Sequence, residues 1–167
     1  RIKKNFSCIG IAYNFQKLEE ERNKISLKIQ NNGYYKFNKE YIYFIADTNQ
    51  ATRTVDLSLV IKDDEYINDA TLLKEQHKLG LITEVNVHFE KNNIEQNDTL
   101  RINGLNFIFH GSKPPFNINR LSEKILLRAG LNYNKTFVDR TYQALSELKN
   151  FKKINIEFST LKSSVES

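Results

Sequence analysis

A five-residue motif occurs twice in this sequence, and the second copy begins 120 residues after the first. Residues 10–14 read Gly-Ile-Ala-Tyr-Asn, and residues 130–134 read Gly-Leu-Asn-Tyr-Asn. An amphipathic stretch follows each copy, and Leu18 in the first corresponds to Val138 in the second. A repeat of this kind predicts two copies of one structural unit, each with its own part of the core.

Three helices follow from the spacing of apolar residues and from the residues that end each pattern. The first carries Leu18, Ile25 and Ile29 on one face and stops at Gly33, which takes the left-handed conformation readily. A short helix is predicted from Asn119, its expected N-cap, to Arg128, and Gly130 ends it. Its inward residues are expected to be Leu121, Ile125 and Leu126. The third helix has the apolar stripe Val138, Tyr142, Leu145 and Leu148, and the pair Thr136 and Asp139 resembles a capping box at its start.

Strands are predicted wherever apolar and polar residues alternate or β-forming residues cluster. The predicted strands cover residues 41–46, 54–61, 82–89, 99–109 and 153–160. The first is apolar on both faces, which is typical of a covered strand, and a loop over residues 47–53 joins it to the second as a hairpin. Asn103-Gly104 indicates a hairpin turn within residues 99–109, with a bulge as the alternative. Residues 66–81 are interpreted as a linker.

The composition excludes several classes of protein. The chain has 167 residues, 40% of them hydrophobic, which is enough for a packed core. Its longest clearly apolar run, Ile42–Ala46, is far shorter than the roughly 20 residues of a membrane helix. No signal peptide is recognisable, and the absence of methionine leads us to expect a processed chain or a piece of a longer one. The net charge of +5 is spread along the chain instead of forming a basic stripe.

Catalytic and metal-binding chemistry finds no support in the spacing of the reactive residues. The three histidines, His77, His88 and His110, lie in different predicted elements, so no zinc site is expected. The acidic stretch 63–65 lacks the spacing of a calcium loop. Cys8 has no recognisable base beside it in the sequence, and no glycine-rich phosphate loop occurs. We therefore expect no enzyme activity, no catalytic residue, no metal and no cofactor.

The repeated pattern resembles the POTRA domain (polypeptide-transport-associated domain) of outer-membrane assembly proteins. That family has a G-x-x-Y turn after its first helix and an aromatic residue close after its second, followed by a strand. The matching positions are Gly10, Tyr13, Leu18, Gly33, Tyr34 and Tyr35 in the first copy, and Gly130, Tyr133, Leu145, Leu148 and Phe151 in the second. Residues 20–47 look most like BamA/TamA-type proteins of Bacteroidetes-like bacteria. Lys149 departs from the family's usual glycine, so Asn150 is expected to take the left-handed conformation there.

The resemblance implies an α+β fold of tandem POTRA-like β-α-α-β-β modules, each a small mixed sheet with two helices on one face. The first module spans residues 1–62 and lacks its opening strand, a linker spans 63–78, and the second module spans 79–167 and lacks its closing strand. It further implies a periplasmic location, attached to the outer membrane through a parent protein that has a barrel. The implied partners are unfolded outer-membrane or surface proteins and accessory subunits.

The implied mechanism is β-augmentation, in which an extended partner adds a strand to an open sheet edge. The strand after the second helix of each module is expected to form that edge, with Lys39 and Lys153 as guards against aggregation. The partner-binding residues expected on these edges are Tyr41, Ile42, Tyr43, Phe44, Lys153, Ile154, Asn155 and Ile156.

Two other classes of function stay open at this point. The first is a basic nucleic-acid-binding α+β module, favoured by the pI of about 9.2 and by tyrosines at positions 34, 35, 41 and 43 that could stack on bases. The second is a hydrolase of unrecognised type, against which the lack of any acid, base and nucleophile spacing counts.

Overall fold

The structure is a computed structural model, and it describes residues 10, 12–68, 71–89 and 97–160. Within these residues the chain forms three α-helices and seven strands. The helices are α1 (Phe15–Asn31), α2 (Ile118–Lys124) and α3 (Lys135–Ser146). The strands are β1 (Ile42–Asn49), β2 (Thr54–Ile61), β3 (Asp64–Asn68), β4 (Thr71–Glu75), β5 (Asn86–His88), β6 (Asn97–Ile102) and β7 (Leu105–His110). The α+β class predicted from the sequence is confirmed.

The chain divides into two compact units. Unit 1 contains the described residues up to Ile82 together with Leu131–Lys135, and unit 2 contains Thr83–Gly130 and the residues from Thr136 onward. The second copy of the repeated motif therefore belongs mostly to unit 1. The domain boundaries drawn from the sequence stay a prediction.

Unit 1 consists of α1 and two antiparallel two-stranded sheets, β1–β2 and β3–β4. Leu18, Phe37 and Ile42 are buried and form the centre of its core. In the β1–β2 register Phe44 lies opposite Leu59 and Ala46 opposite Leu57, so Val55, Leu57, Leu59 and Ile61 share one face as predicted. Strand β1 was predicted to be covered on both faces. This prediction is wrong for one face, because Ile45 is 52% exposed.

The β3–β4 hairpin occupies residues that we interpreted as a linker. Asp64 lies opposite Glu75 and Asn68 opposite Thr71 in an antiparallel register. The linker interpretation is therefore wrong about the local structure of these residues. The strands gave no signal in the sequence because they have five residues each and acidic ends, with neither clear alternation nor an apolar run. Each strand is stabilised by the backbone hydrogen bonds of its partner, which the sequence of one strand does not reveal.

A second cluster in unit 1 joins the C-terminal end of α1 to two other segments. The Gly80 amide donates to the Gly33 carbonyl (2.8 Å), and the Tyr133 amide donates to the Gly80 carbonyl (2.8 Å). The Tyr35 and Tyr133 rings pack with centroids 6.1 Å apart, and the Asn134 side chain donates to the Asn31 carbonyl. Gly33 has φ +106° and Gly80 faces the Tyr35 ring, so neither position has room for a Cβ.

Unit 2 contains a three-stranded mixed sheet in the order β5-β7-β6, together with α2 and most of α3. Strand β7 is antiparallel to β6 and parallel to β5, and Leu105, Phe107 and Phe109 are buried on its inner face. Asn103 and Gly104 both have positive φ, which confirms the hairpin turn over the bulge. The predicted strand over 82–89 is shorter than expected, since only Asn86–His88 pair with β7.

The short helix of unit 2 begins at Ile118, and Asn117 is its N-cap, not Asn119. The Asn117 side chain accepts a hydrogen bond from the Arg120 amide (3.2 Å), which is the function that the cap performs. The helix ends at Lys124, four residues earlier than predicted, and Arg128 donates to the Ser122 carbonyl (2.9 Å) at that end.

The predicted inward residues of this helix are confirmed in part. Leu121 and Ile125 are buried, but Leu126 is exposed. Helix α3 begins at Lys135, so Thr136 lies inside its first turn instead of at the capping position.

The two copies of the repeated motif share two structural features. Gly10 and Gly130 both have positive φ, and each lies five residues before the first residue of a helix. The two tyrosines differ in burial, since Tyr133 is 7% exposed and Tyr13 is 60% exposed.

At the other end of these helices, Gly33 and Lys149 both have positive φ. Each of these two amides donates to the carbonyl three residues earlier. Lys149 itself therefore takes the left-handed conformation that we expected at Asn150.

Candidate functional site

The candidate partner-binding residues of the first module lie where β1 begins. Tyr41 is the last residue of a 3₁₀ turn (Lys39–Tyr41), and the strand starts at Ile42. The prediction that Tyr41 lies in the strand is therefore wrong. Ile42 is fully buried, Phe44 is half-buried, and Tyr43 is 37% exposed. Of these four side chains, Tyr43 is therefore the most accessible to a partner.

The backbone of β1 has one side bonded to β2 and one side turned away from it. The Lys62 amide donates to the Tyr41 carbonyl (2.8 Å), and the antiparallel register then pairs Tyr43 with Val60 and Ile45 with Ser58 through hydrogen bonds. The amides of the intervening residues, such as Ala46, point away from β2. Among the described residues β1 has no strand on that side, so it is an edge strand.

Tyr41 fixes the start of β1 to the neighbouring hairpin. Its hydroxyl donates to Asp64 Oδ1 (2.7 Å), and its ring contacts the His77 ring with centroids 4.5 Å apart. The hydrogen bond to Asp64, with burial and the nearby negative charge, raises the pKa of Tyr41. His77 also packs against Phe37 and bonds through Nε2 to the Lys62 carbonyl (2.8 Å). Tyr41 and His77 therefore have packing roles within unit 1.

Charged side chains connect α1 to the turn that precedes β1. Arg22 donates to Glu19 within the helix and to the Lys39 carbonyl (3.0 Å), and Lys39 Nζ lies 3.6 Å from Glu19 Oε2. The hydrogen bond from Arg22 and the two positive charges lower the pKa of the Glu19 carboxyl. Arg22 Nε is buried and makes no hydrogen bond with the described residues. This arrangement holds the start of β1 at a fixed position beside α1.

The lysine beside the exposed Tyr43 ring is Lys62. Lys62 Nζ lies 5.3 Å from the centre of the Tyr43 ring, where a cation is attracted to the aromatic face. Lys39 instead pairs with Glu19 of α1. A charge beside an exposed aromatic residue limits unspecific pairing of strand edges.

The second group of candidate residues, Lys153, Ile154, Asn155 and Ile156, does not lie in a strand. The structure assigns no regular element to residues 151–160, so the predicted edge strand there is wrong. The burial of these side chains does alternate along the segment, since Ile154 and Ile156 are half-buried while Lys153 and Asn155 are exposed. A strand needs a hydrogen-bonded partner as well as alternation, and none of the described residues pairs with this segment.

The other candidate residues are not brought together. His77 lies in unit 1, and His88 and His110 lie in unit 2, while Cys8 lies outside the described residues. In the part of the chain that the structure describes, no three His, Cys, Asp or Glu side chains are placed to share a metal ion. No described helix combines the length and the apolarity needed to cross a bilayer.

Comparison with known proteins gives one structural similarity. No family model matches the chain, and no curated protein matches it. A crystal structure of Haemophilus influenzae BamA POTRA3-5 is similar at a TM-score of 0.49 and 14% sequence identity. The similarity covers 93% of this chain and 46% of that one, so the chain spans about half the length of its structural neighbour. The α+β class rests on the helices and sheets described above, not on this similarity.

Proposed function

We propose that the chain is the periplasmic POTRA region of an outer-membrane protein assembly or translocation factor. In this role it binds unfolded clients or partner subunits by β-augmentation and catalyses no reaction. The location, attachment through a barrel-bearing parent protein, and the choice of clients are parts of the same proposal. The resemblance of the Gly-x-x-Tyr-Asn repeats to the POTRA family suggests the pathway.

The observation that carries the binding mechanism is the open side of β1. An edge strand presents unpaired backbone donors and acceptors, and an extended polypeptide satisfies them with little dependence on its side chains. The Arg22 and Tyr41 interactions hold the first residues of β1 in place, so the edge needs little reordering when a partner binds. A factor that handles many different clients requires this low sequence preference.

The test compares substitutions that differ in the backbone amide they remove. Proline at Ala46 removes a donor that points away from β2, whereas Ala46→Ser keeps the donor at the same position. Proline at Tyr43 is unsuitable because its amide faces Val60 across the hairpin. We expect Ala46→Pro to weaken crosslinking to an unfolded outer-membrane client by about fivefold, the value of one net hydrogen bond, with Ala46→Ser unchanged.

Circular dichroism and backbone chemical shifts of the two variants establish that the β1–β2 hairpin is retained. Equal client binding by wild type, Ala46→Pro and Ala46→Ser would show that β1 is not the binding edge. The absence of client binding by the wild-type chain would contradict the proposed function as a whole.

A further inference from the structure

The sheet of unit 2 has one face turned toward the core and one turned away from it. On β7, Leu105, Phe107 and Phe109 are buried, so the alternate residues of this strand lie on the other, outer face. The register places residues of the flanking strands beside them. The described side chains of the outer face belong to Asn86 and His88 from β5, Thr99 and Arg101 from β6, and Asn106, Ile108 and His110 from β7.

Two of the three histidines of the chain lie on this outer face. His88 of β5 lies beside Ile108 of β7, and His110 is the next residue of β7 on the same face. Both histidine side chains are exposed. Diagonal neighbours on adjacent strands lie about 8 Å apart, close to the roughly 6.6 Å between alternate residues of one strand. Two imidazole rings can converge on one ion from this spacing.

The backbone around these two positions is held by hydrogen bonds between β5 and β7. The Phe89 amide donates to the Ile108 carbonyl (3.1 Å), directly after His88. On the outer face itself, the Asn106 side chain donates to Asn86 Oδ1 (2.9 Å), so side chains of the two strands reach one another there. His88 therefore has a defined position relative to β7.

The donor set of the outer face determines which ions it can hold. Imidazole nitrogen suits copper, zinc and nickel, whereas calcium and magnesium need oxygen ligands. The described strand residues place no carboxylate on this face. Its fixed positive charge, Arg101, lies opposite Asn106, four residues along β7 from His110. Four residues span about 13 Å, which exceeds the screening length of about 8 Å at physiological salt.

We propose that His88 and His110 together bind one divalent transition-metal ion, of the kind that prefers imidazole, on the outer face of the unit 2 sheet. Catalytic zinc sites have three protein ligands and structural ones have four, so a site with two ligands exchanges its ion with solvent and leaves coordination positions open. Among these ions Cu²⁺ binds such a site most tightly. The inference does not depend on the proposed function.

The bound ion joins β5 to β7. Strand β5 has three residues, Asn86–His88, and among the described residues it pairs with β7 alone. An ion that binds the paired strands better than the separated ones favours the paired state. The metal therefore stabilises the shortest described strand of unit 2.

Copper titration of the full 167-residue chain measures the number and the affinity of the sites. All samples carry Cys8→Ser, because a thiolate binds the same ions. We expect one tightly bound Cu²⁺, and His88→Gln and His110→Gln should each weaken its binding about 100-fold, since a second linked ligand raises affinity by that order. Independent imidazoles would instead lose one bound ion with no change in the affinity of the others.

A rearranged variant is the matched control. Asn86→His combined with His88→Asn keeps the composition of the outer face but moves one histidine two residues further from His110. The two histidines are then four residue positions apart, about 13 Å, which is too far for them to share an ion. Copper binding should fall as far as in His88→Gln. Cross-strand contacts between Val87 and Phe107 verify that each variant keeps the β5–β7 pairing.

Two NMR measurements locate the ion and test its effect on β5. Cu²⁺ is paramagnetic, and a fraction of one equivalent should broaden the amide signals of Ile108 and Phe109 before that of Leu105. Zn²⁺ is diamagnetic, and at ten times its dissociation constant it should slow exchange of the Phe89 amide about tenfold in the chain with both histidines. The rearranged variant should show no such slowing.

Four results would overturn the inference. These are unchanged copper affinity in His88→Gln, undiminished affinity in the rearranged variant, broadening that begins at His77, and equal slowing of Phe89 exchange with both histidine arrangements. Each would place the ion elsewhere or on a single ring. None of these measurements uses a client protein, so the proposed function stands or falls separately.

Discussion

Two hairpins of this chain, β1–β2 and β6–β7, have the same kind of pairing and very different surroundings. Both are antiparallel, and both turn through residues with positive φ, Arg53 in one and Asn103 with Gly104 in the other. Strand β7 has a neighbour on each side and buries every second residue. Strand β2 has one neighbour among the described residues, and none of its residues is buried.

The difference does not come from hydrophobicity. Strand β2 carries four apolar residues on its inner face, Val55, Leu57, Leu59 and Ile61, against three on that of β7. A third strand extends the sheet far enough to cover the facing layer, and a two-stranded hairpin by itself is marginal. The greater burial of β7 than of β2 therefore follows from its second neighbouring strand, and among the described residues no strand lies along the outer side of β2.

The largest expected effect concerns the centres of the two strands. Phe107 is fully buried on β7, whereas Leu57 on β2 is half-buried. We expect Phe107→Ala to destabilise unit 2 by about 3–5 kcal/mol, because it leaves a cavity in a packed core. Leu57→Ala should cost unit 1 about 1 kcal/mol.

Urea unfolding, followed by amide exchange in each unit separately, measures the two losses. The local readout is needed because the two units need not unfold together. Losses of equal size would mean that the side chains of β2 are as well packed as those of β7, which would contradict the comparison.

The second prediction concerns the two helix ends, where the two copies share a backbone conformation but have different residues. Gly33 and Lys149 both have positive φ, but only glycine adopts this region without strain. Gly33→Ala should destabilise by about 1–3 kcal/mol, since the added Cβ would also lie 2.9 Å from Leu79 Cδ2.

Lys149→Gly should act in the opposite direction and stabilise the folded chain by about 0.5–1 kcal/mol. Glycine relieves the backbone strain of the folded state, and part of this gain is lost because glycine also gives the unfolded chain more freedom. Lys149→Ala serves as its matched control, because it removes the side chain but keeps the strain. Thermal unfolding of the three variants measures these shifts. A gain from Lys149→Ala equal to that from Lys149→Gly would contradict the strain argument.

The sequence predicted those elements whose signals are local. Gly33, Gly130 and the Asn103-Gly104 turn have backbone requirements that the residue type itself reveals, and the helices between them have a clear period. The β3–β4 hairpin was missed, and the strand over residues 153–160 was predicted wrongly, because both depend on a partner strand. Alternation indicates a surface that is half-buried, but it does not show what pairs with the backbone.

The candidate site shows the same limit. Tyr43 was expected at a sheet edge because of the family resemblance, and it is the most accessible side chain of its group. The direction of its amide depends on register, which needs the hydrogen bond between Lys62 and Tyr41.

The smallest expected effect concerns two like charges that lie directly opposite each other in the β1–β2 hairpin. Asp47 and Asp56 face one another across the ladder, and both are exposed. Like charges at this spacing are destabilising, so Asp47→Lys should stabilise the hairpin by about 0.2–1 kcal/mol. The control is Asp98→Lys on β6, which lies opposite Phe109 and should give no such gain.

Amide exchange of Ile45 and Ser58 measures the effect, which should shrink at high salt because the charges are exposed. An equal gain at both positions, or one that salt does not reduce, would show that lysine acts through strand propensity and not by relieving repulsion.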